Sequence, residues 1–528
     1  MRVALSSAFA LLGLFQLGAS SKSERVLTAP TDAPSVRLHV TTKRETMRFH
    51  GTLSYDVYAT PVMSANGTNV LYEGYATFHG KGSEVTYTLA NGVAYLTTKN
   101  ASGIETVECL SHDALPFSEI LPALNAVSRI PGASIGEEAV KCPSGTLFRT
   151  SFAGTQYAVC VSGQAGFTAF SSDLDIVVEY LDRQERIPTP KLTDGKSSCT
   201  PVAQATPMTS TALALMRGSK LPSSGTRMLK AASHMAMQAN ECQPTSKPRP
   251  CIFFHGLGNP KEAPELQNTP AMIRDMLGDM NGHAPFCSTI KYAIINTDDV
   301  GWRDDALQRK FCKFALSMSP TSNVTAGMID NVIIVTHSMG GLVMAAALAT
   351  GKCKFSPKTS WVALSPPMGG SMASDFMMGI CEKDGSVAEN LFDLIGHCPM
   401  VPSRKSTIYQ GEKYSTPVVN NAYVAAQKAY RDNVAAAMCS DSPLGVFSEY
   451  QASSAIAGKI LPHKSLKNDG LVEYKSCAAG LDDAKFGNHY RDRFYRPQLN
   501  HADTAFLTGD GVLKNSQKPL KWFQCLAL

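Results

Sequence analysis

The sequence predicts two folded regions of different class. Residues 30–185 read as a β-rich, antiparallel domain of the α+β type, and residues 251–528 as an α/β domain with a mainly parallel sheet. In the first region, short runs of alternating polar and apolar residues are separated by turns such as Asn91-Gly92, a pattern typical of hairpins. In the second, apolar runs alternate with helical stretches, which indicates βαβ units.

The first region predicts a meander of short strands with one helix inserted. The alternating runs predict strands near residues 51–58, 70–78, 85–89, 93–97, 147–151, 157–161 and 175–180. The spacing of apolar residues over 116–130 predicts the helix. A curved sheet holding one helix could bind a lipid, but its apolar face would serve equally well as an ordinary core, so both interpretations stay open.

Residues 186–250 are rich in Pro, Ser, Thr and Lys and are predicted to be a linker, with a short helix inside 208–238. Beyond it, strands are predicted at 251–254, 292–296, 332–336 and 361–364. Residues 372–461 form an insertion longer than a bare α/β core needs, and 423–438 within it read as a helix. Its apolar residues would line an acyl pocket or pack as core: Phe376, Met377, Met378, Ile380, Leu391, Phe392, Leu394 and Ile395.

Composition excludes several classes of function. The 528 residues carry 49 Lys and Arg against 44 Asp and Glu, a net charge of +5 with no long basic run, so a nucleic-acid partner is not expected. Residues 1–20 have the charged start, short apolar stretch and small final residues of a secretory signal peptide. The 14 cysteines then predict disulfides, whose pairing stays open. Sequons at Asn66, Asn100 and Asn323 are compatible with a secreted glycoprotein.

The most informative passage is residues 331–347, where an apolar strand runs into a Ser-containing turn and an Ala-rich helix. A serine at such a turn exposes its hydroxyl above the sheet. Gly340 and Gly341 allow the close backbone packing that the turn needs. Thr336 departs from the G-x-S-x-G pattern, so a bulkier side chain must be accommodated there. We therefore predict that Ser338 is a nucleophile.

Acyl transfer also needs an oxyanion hole, a base and a carboxylate that orients the base. The strand that ends in a His-Gly loop at residues 251–258 suggests the backbone N–H groups of Leu257 and Met339 as oxyanion donors. The chain order Ser, acid, His points to Asp469 and His501. The alternatives for the base are His463 and His489, and those for the carboxylate are Asp482, Asp483 and Asp503. No Cys-x-x-Cys or His-Glu-x-x-His spacing occurs, so no metal or cofactor is expected.

Together these motifs make residues 251–528 resemble the α/β-hydrolase superfamily, in particular its secreted serine lipases and esterases. The resemblance rests on four segments and on a Pro- and Gly-containing loop after the next strand: residues 255–258, 337–341, 468–472, 500–501 and 365–371. It implies a serine nucleophile without a catalytic metal, ester or lipid substrates, and a cap at 372–461. It covers about half of the chain and does not fix the acyl group.

The sequence therefore predicts a secreted, extracellular serine hydrolase that cleaves carboxylic esters through an acyl-enzyme on Ser338. Its partners would be an ester or lipid substrate and, transiently, a membrane or lipid surface. One alternative is an acyltransferase that uses the same nucleophile. Another is a non-catalytic secreted binding or adhesion protein on a hydrolase scaffold. The oligomeric state and the role of residues 30–185 are left undecided.

Overall fold

In the computed structural model, the described parts of the chain are residues 33–64, 68–80, 83–110, 117–143, 145–161, 166–193, 198–219, 221–222, 233–237, 242, 247–382, 396–446, 448, 450–512 and 514–528. The predicted signal peptide, residues 1–20, lies outside them. The chain divides into two compact units. The first comprises Met1–Glu241 with Gly511–Asn515, and the second comprises Cys242–Asp510 with Ser516–Leu528.

The first unit is built on a large antiparallel sheet, as the sequence predicts. Its elements are β1 (Val36–Thr42), β2 (Ser54–Met63), β3 (Asn69–Gly80), β4 (Ser83–Ala90), β5 (Val93–Asn100), β6 (Glu105–Cys109), α1 (Phe117–Asn125), β7 (Ser128–Arg129), β8 (Ala133–Ile135), β9 (Glu138–Ala139), β10 (Thr146–Phe152), β11 (Thr155–Val161), β12 (Phe167–Phe170) and β13 (Leu174–Tyr180). The strand order is β6-β5-β4-β3-β2-β1-β13-β12-β11-β10-β7. Alternate residues of β1, including Val36, Leu38 and Val40, are fully buried, which is the period-2 pattern of a half-buried strand.

The described part of the segment predicted to be a linker contains β14 (Thr206–Pro207), α2 (Ser210–Arg217) and β15 (Met235–Met237). β14 pairs with β3, and β15 pairs with β8 in a small sheet that also contains β9. Two-residue and three-residue strands in a Pro-rich sequence leave no periodic signal. Their positions depend on pairing with strands that lie far away in the chain.

The second unit contains a parallel sheet of seven strands. The strands described in this unit, of which all but β18 and β20 belong to that sheet, are β16 (Arg249–Phe254), β17 (Cys287–Ala293), β18 (Met328–Ile329), β19 (Ile333–His337), β20 (Lys354–Phe355), β21 (Ser360–Leu364), β22 (Val434–Met438), β23 (Phe486–Gly487) and β24 (Phe494–Tyr495). The sheet order is β17-β16-β19-β21-β22-β24-β23, and every adjacent pair is parallel. β18 and β20 pair separately.

The α-helices described in this unit connect the strands or follow the last one. They are α3 (Asp305–Ser317), α4 (Met339–Ala349), α5 (Met372–Cys381), α6 (Pro402–Ser406), α7 (Pro417–Asn433), α8 (Gln451–Ile460), α9 (Tyr474–Ala478), α10 (His501–Thr504) and α11 (Pro519–Gln524). The predicted helix at 423–438 ends earlier, because residues 434–438 are strand β22. A buried position between two neighbouring strands overrides the helical propensity of its alanines.

Both faces of the parallel sheet are covered. Ile252 and Phe254 of β16 pack in a core that includes residues of α3, α4 and α7. Cys251 and Phe253 point to the other face, where the core includes residues of α11 and of the segment before β17. The strands of a parallel sheet that is buried on both faces have continuous apolar sequences, and β16 and β19 show this pattern.

All 14 cysteines are paired, and each disulfide joins two residues of the same unit. The pairs are Cys109–Cys199, Cys142–Cys160, Cys242–Cys525, Cys251–Cys287, Cys312–Cys353, Cys381–Cys398 and Cys439–Cys477. This degree of cross-linking is compatible with an oxidising, extracellular environment. Among the described residues, no helix combines the length and the apolar character that crossing a bilayer requires.

Candidate active site

The candidate site lies where the strand order of the parallel sheet reverses. β17 follows β16 in the chain but adjoins it on one side, while β19 and the later strands lie on the other. Ligands of open parallel sheets bind outside the carboxyl ends of the strands at such a reversal. The loop that begins at His255 leaves β16 there, and Ser338 leaves β19 beside it. These are the two segments that the sequence assigns to the oxyanion hole and the nucleophile.

Ser338 occupies a strained turn between β19 and α4. Its backbone has φ 53° and ψ −132°, a region that non-glycine residues rarely adopt. The Ser338 N–H donates to the Leu364 carbonyl of β21 at 2.9 Å, which fixes the turn against the sheet. A Cβ on Gly340 would lie 2.5 Å from the His255 carbonyl oxygen, so α4 approaches the end of β16 too closely for any larger residue.

Thr336, the departure from the glycine pattern, has a specific partner. The indole N–H of Trp361 donates to the Thr336 hydroxyl at 2.9 Å, and both side chains are fully buried. β19 and β21 are adjacent strands and place the two residues within reach of each other. The hydroxyl of the buried threonine is therefore satisfied by a hydrogen bond beneath the turn.

Asp469 and His501, which lie 32 positions apart in the chain, are in direct contact. The His501 Nδ1–H donates to Asp469 Oδ2 at 2.8 Å, and the His501 backbone N–H donates to the Asp469 carbonyl at 2.9 Å. The other carboxylate oxygen, Oδ1, accepts the N–H groups of Leu471 and Val472 at 3.0 and 2.7 Å. These contacts hold the carboxylate in one orientation towards the imidazole.

Burial favours the neutral form of Asp469, but its pKa is nevertheless lowered below 3.8. The attraction of His501 and its hydrogen bond, together with the two backbone N–H groups, outweigh desolvation. Asp469 is therefore ionised at neutral pH. Only an ionised carboxylate can both orient an imidazole and stabilise the imidazolium that forms when it takes a proton.

His337 connects the Ser338 turn to His501. The His337 Nε2–H donates to the His501 carbonyl at 3.2 Å, and the two imidazole rings have centroids 4.7 Å apart. Burial, and then the nearby His501, lower the pKa of His337 well below 6.5, so it stays neutral. Ser338 and His501 are both buried, with 7% and 8% of their surface exposed.

Among the described residues, the Ser338 hydroxyl has no hydrogen-bond acceptor or donor. Such a bond between nucleophile and base often forms only once a substrate is bound.

The loop of residues 255–258, which is predicted to supply an oxyanion donor, is fixed partly by residues that the sequence did not single out. Asn259 donates through Nδ2 to the Ile295 carbonyl at 2.9 Å, and the Thr297 hydroxyl donates to the Gly256 carbonyl at 2.8 Å. His255 donates to the same carbonyl through Nδ1–H and accepts the Ile295 N–H at Nε2. Burial lowers the pKa of His255 to about 4, so it remains a neutral part of this network.

The predicted oxyanion donors have no competing partner in the described part of the chain. The Leu257 N–H lies within the fixed loop and makes no hydrogen bond there. Met339 is the first residue of α4, so its N–H has no acceptor inside the helix. Both amides are free to bind an anionic oxygen at the end of the sheet.

The alternative candidates for the base and for the carboxylate make other contacts. His463 is buried 3.5 Å from Glu473, Asp482 caps a short 3-10 helix, and Asp483 accepts the Tyr474 hydroxyl. Asp503 caps α10, the helix that begins at His501. His489 accepts the Arg491 N–H. Among the described residues, no group of His, Cys, Asp or Glu has the arrangement needed to hold a metal.

The apolar residues predicted to line an acyl pocket are only partly described. Met377 belongs to the core of the second unit, and Phe376, Met378 and Ile380 pack against that core. Leu391, Phe392, Leu394 and Ile395 lie outside the described residues.

Asn259, Thr297 and the role of His337 were missed by sequence reasoning. Asn259 follows the His-Gly loop by three residues, and Thr297 follows β17, so proximity to the sheet edge was the available signal. Comparison with known proteins adds no further assignment: no protein-family model and no curated protein matches the chain.

Proposed function

We propose that the chain is a secreted serine hydrolase of the α/β-hydrolase type that cleaves carboxylic esters. The proposal is carried by one observation: the Asp469–His501 pair is joined through His337 to the strained turn that presents Ser338. The parallel sheet, the reversal of strand order at this edge and the two free amides support it. An export route fits the extensive disulfide bonding.

The reaction uses side chains that all belong to the second unit. Ser338 Oγ attacks the ester carbonyl carbon while His501 Nε2 takes the hydroxyl proton, and Asp469 stabilises the resulting imidazolium. The Leu257 and Met339 N–H groups donate to the oxyanion of the tetrahedral intermediate. His501 then returns the proton to the leaving alkoxide, the C–O bond breaks, and an acyl-Ser338 remains. Water, deprotonated by His501, releases the acid by the same sequence.

The test compares Ser338→Ala with Ser365→Ala on short-chain and long-chain p-nitrophenyl esters. Ser365 is a matched control, because it too is buried, follows the next strand and has a positive φ of 44°. We expect kcat for Ser338→Ala to fall by at least about 10⁴-fold and that for Ser365→Ala to stay close to the wild-type value. Undiminished turnover by correctly folded Ser338→Ala would end the assignment.

A fluorophosphonate probe separates an enzyme from a binding protein on the same scaffold. We expect covalent labelling of Ser338 in the wild type and none in His501→Ala. Adding an alcohol acceptor to the ester assay then distinguishes hydrolysis from acyl transfer. Free acid as the main product supports the proposal, and a transesterified product as the main one would assign an acyltransferase instead.

A further inference from the structure

A cavity of about 310 Å³ lies in the first unit, between the sheet and α1. Its walls include Leu71 and Leu89 of β3 and β4, Ile120 and Leu121 of α1, and Val202. The volume is near the lower end of the roughly 300–1,000 Å³ that small-molecule sites occupy. Polar atoms make up nearly half of the lining surface, and the apolar part suits one compact apolar group or a single aliphatic chain.

One wall of this cavity is a strap, defined here as residues 199–207, and several contacts hold it in place. The Cys109–Cys199 disulfide joins it to β6, and the N–H groups of Val202 and Ala203 both donate to the Gly92 carbonyl. At its far end β14 pairs with β3, and Asn125 of α1 donates to the Pro207 carbonyl at 2.9 Å. A segment without regular structure over most of its length is thus fixed at both ends over the cavity.

One residue of the cavity lining carries an unused hydrogen-bond donor. Tyr72 lines it and is 2% exposed, and its hydroxyl has no partner among the described residues. Burial raises the pKa of Tyr72 well above 10, so the hydroxyl keeps its proton. An unsatisfied buried donor is unfavourable, and a small shift of the Tyr72 side chain that let a ligand oxygen reach its hydroxyl would relieve this cost.

Among the described residues, the polar lining is uncharged: Ser118, Gln204 and Thr206 contribute to it, and no Lys, Arg or His does. A buried carboxylate or phosphate would have no counter-charge here and would lose its hydration. The lining therefore selects against anionic head groups and in favour of a neutral oxygen acceptor.

We propose that this cavity binds a neutral single-chain lipid, whose aliphatic chain fills the apolar part and whose hydroxyl or ester oxygen accepts the Tyr72 hydrogen bond. Fatty alcohols and monoacylglycerols have this chemistry. The inference concerns only the first unit and does not depend on the proposed hydrolase activity.

The test measures binding of 1-decanol and of decanoate to the full-length protein by calorimetry at pH 8. The wild type and Ser338→Ala should bind 1-decanol equally, at one site, and at least tenfold more tightly than decanoate. No binding of 1-decanol, or tighter binding of decanoate, would overturn the proposal. So would loss of binding in Ser338→Ala, because it would place the ligand in the other unit.

Two pairs of variants locate the ligand. Ala203→Trp should fill the cavity and weaken 1-decanol binding at least tenfold, whereas Ala205→Trp, an exposed position of the same strap outside the lining, should not. Tyr72→Phe should weaken binding about fivefold, the effect of one hydrogen bond. Tyr55→Phe should have no effect, because its buried hydroxyl is also unpartnered but lies outside the cavity lining. Equal effects within either pair would contradict this location.

Discussion

Asp469 is surrounded by donors that have different roles. Two backbone N–H groups bind one carboxylate oxygen and fix the loop, while the other oxygen is left for the His501 Nδ1–H. An asparagine could keep both backbone contacts through its single oxygen. Its NH₂ group would then face His501 and would favour the tautomer with the proton on Nε2, which cannot act as a base at that atom.

We therefore predict that Asp469→Asn folds normally and lowers kcat by about 10⁴-fold, as the loss of a correctly oriented base does in serine proteases. Thermal unfolding and ester turnover measure the two properties. Asp483→Asn, which alters a carboxylate bonded to the Tyr474 hydroxyl, serves as the control and should keep its activity. An active Asp469→Asn would exclude Asp469 as the orienting acid.

Asp503 presents a second buried carboxylate close to His501. It accepts the N–H groups of Val446 and Asn500 at Oδ2 and the Thr508 hydroxyl at Oδ1. Desolvation raises its pKa to about 7 despite these bonds. The folded protein thus holds this proton more tightly than the unfolded chain, so the stability that Asp503 contributes is present below pH 3.8 and is lost as the pH rises to about 7.

Asp503→Asn removes this titration while keeping a comparable set of hydrogen bonds. Relative to the variant, the wild type should lose about 1.4 kcal/mol of unfolding free energy per pH unit between pH 4 and 7, and the difference should level off above pH 7. Urea unfolding at several pH values measures it. A difference independent of pH would show that Asp503 is ionised throughout this range.

For single residues, the sequence predicts the reactive side chains of the site better than the contacts that hold them in place. Ser338, Asp469 and His501 are indicated by a local motif and by chain order. The link through His337 could not be predicted, because it depends on a side chain of β19 reaching the backbone of a residue 164 positions away. Such contacts follow from the assembled sheet edge and leave no local pattern.

The junction between β16 and α4 is a tight contact between two elements of the site. Besides the His255 carbonyl at 2.5 Å, a Cβ on Gly340 would meet the Phe254 carbonyl at 3.3 Å. Both are backbone atoms at the end of a central strand, Phe254 as its last residue and His255 directly after it, so neither can rotate away. Any side chain at this position has to push the helix away from the sheet.

Gly340→Ala should accordingly destabilise the second unit by about 1–3 kcal/mol, the usual cost of overpacking, and should displace the Met339 amide. Gly379→Ala is the matched control. It is also a helical glycine, but its Cβ would meet only the Tyr414 hydroxyl at 3.5 Å, and it should be neutral or slightly stabilising. Thermal unfolding of both variants decides the point, and equal melting temperatures would contradict the packing argument.

Elements whose apolar residues recur with a clear period were predictable from the sequence. Elements that exist only through pairing with distant strands were not. The strands of the first unit and β16, β19 and β21 of the second have the expected patterns of buried residues. β22 was predicted as helix because Ala435, Ala436 and Ala437 favour that conformation. β14 and β15 consist of two and three residues and exist only through their pairing with β3 and β8.

For the whole molecule, the distribution of disulfides is the clearest constraint. No disulfide joins the two units, since Cys199 is the last cysteine before the boundary and pairs with Cys109, whereas Cys242 pairs with Cys525. The pairing could not be read from the sequence, because 14 cysteines permit very many combinations.

A protease site inserted between Met237 and Cys242 should therefore separate the chain into two fragments on a denaturing gel without reductant. The same site inserted at Gly154, between Cys142 and Cys160, should leave one cross-linked species until reductant is added. A chain cut after Met237 that migrates as a single band without reductant would contradict the pairing.

The three tryptophans, Trp302, Trp361 and Trp522, are fully buried, and all belong to the second unit. Selectively excited indole fluorescence consequently reports on that unit alone, while melting of the first unit leaves the emission unchanged. Comparing this signal with far-ultraviolet circular dichroism, to which both units contribute, would resolve their separate transitions without any label.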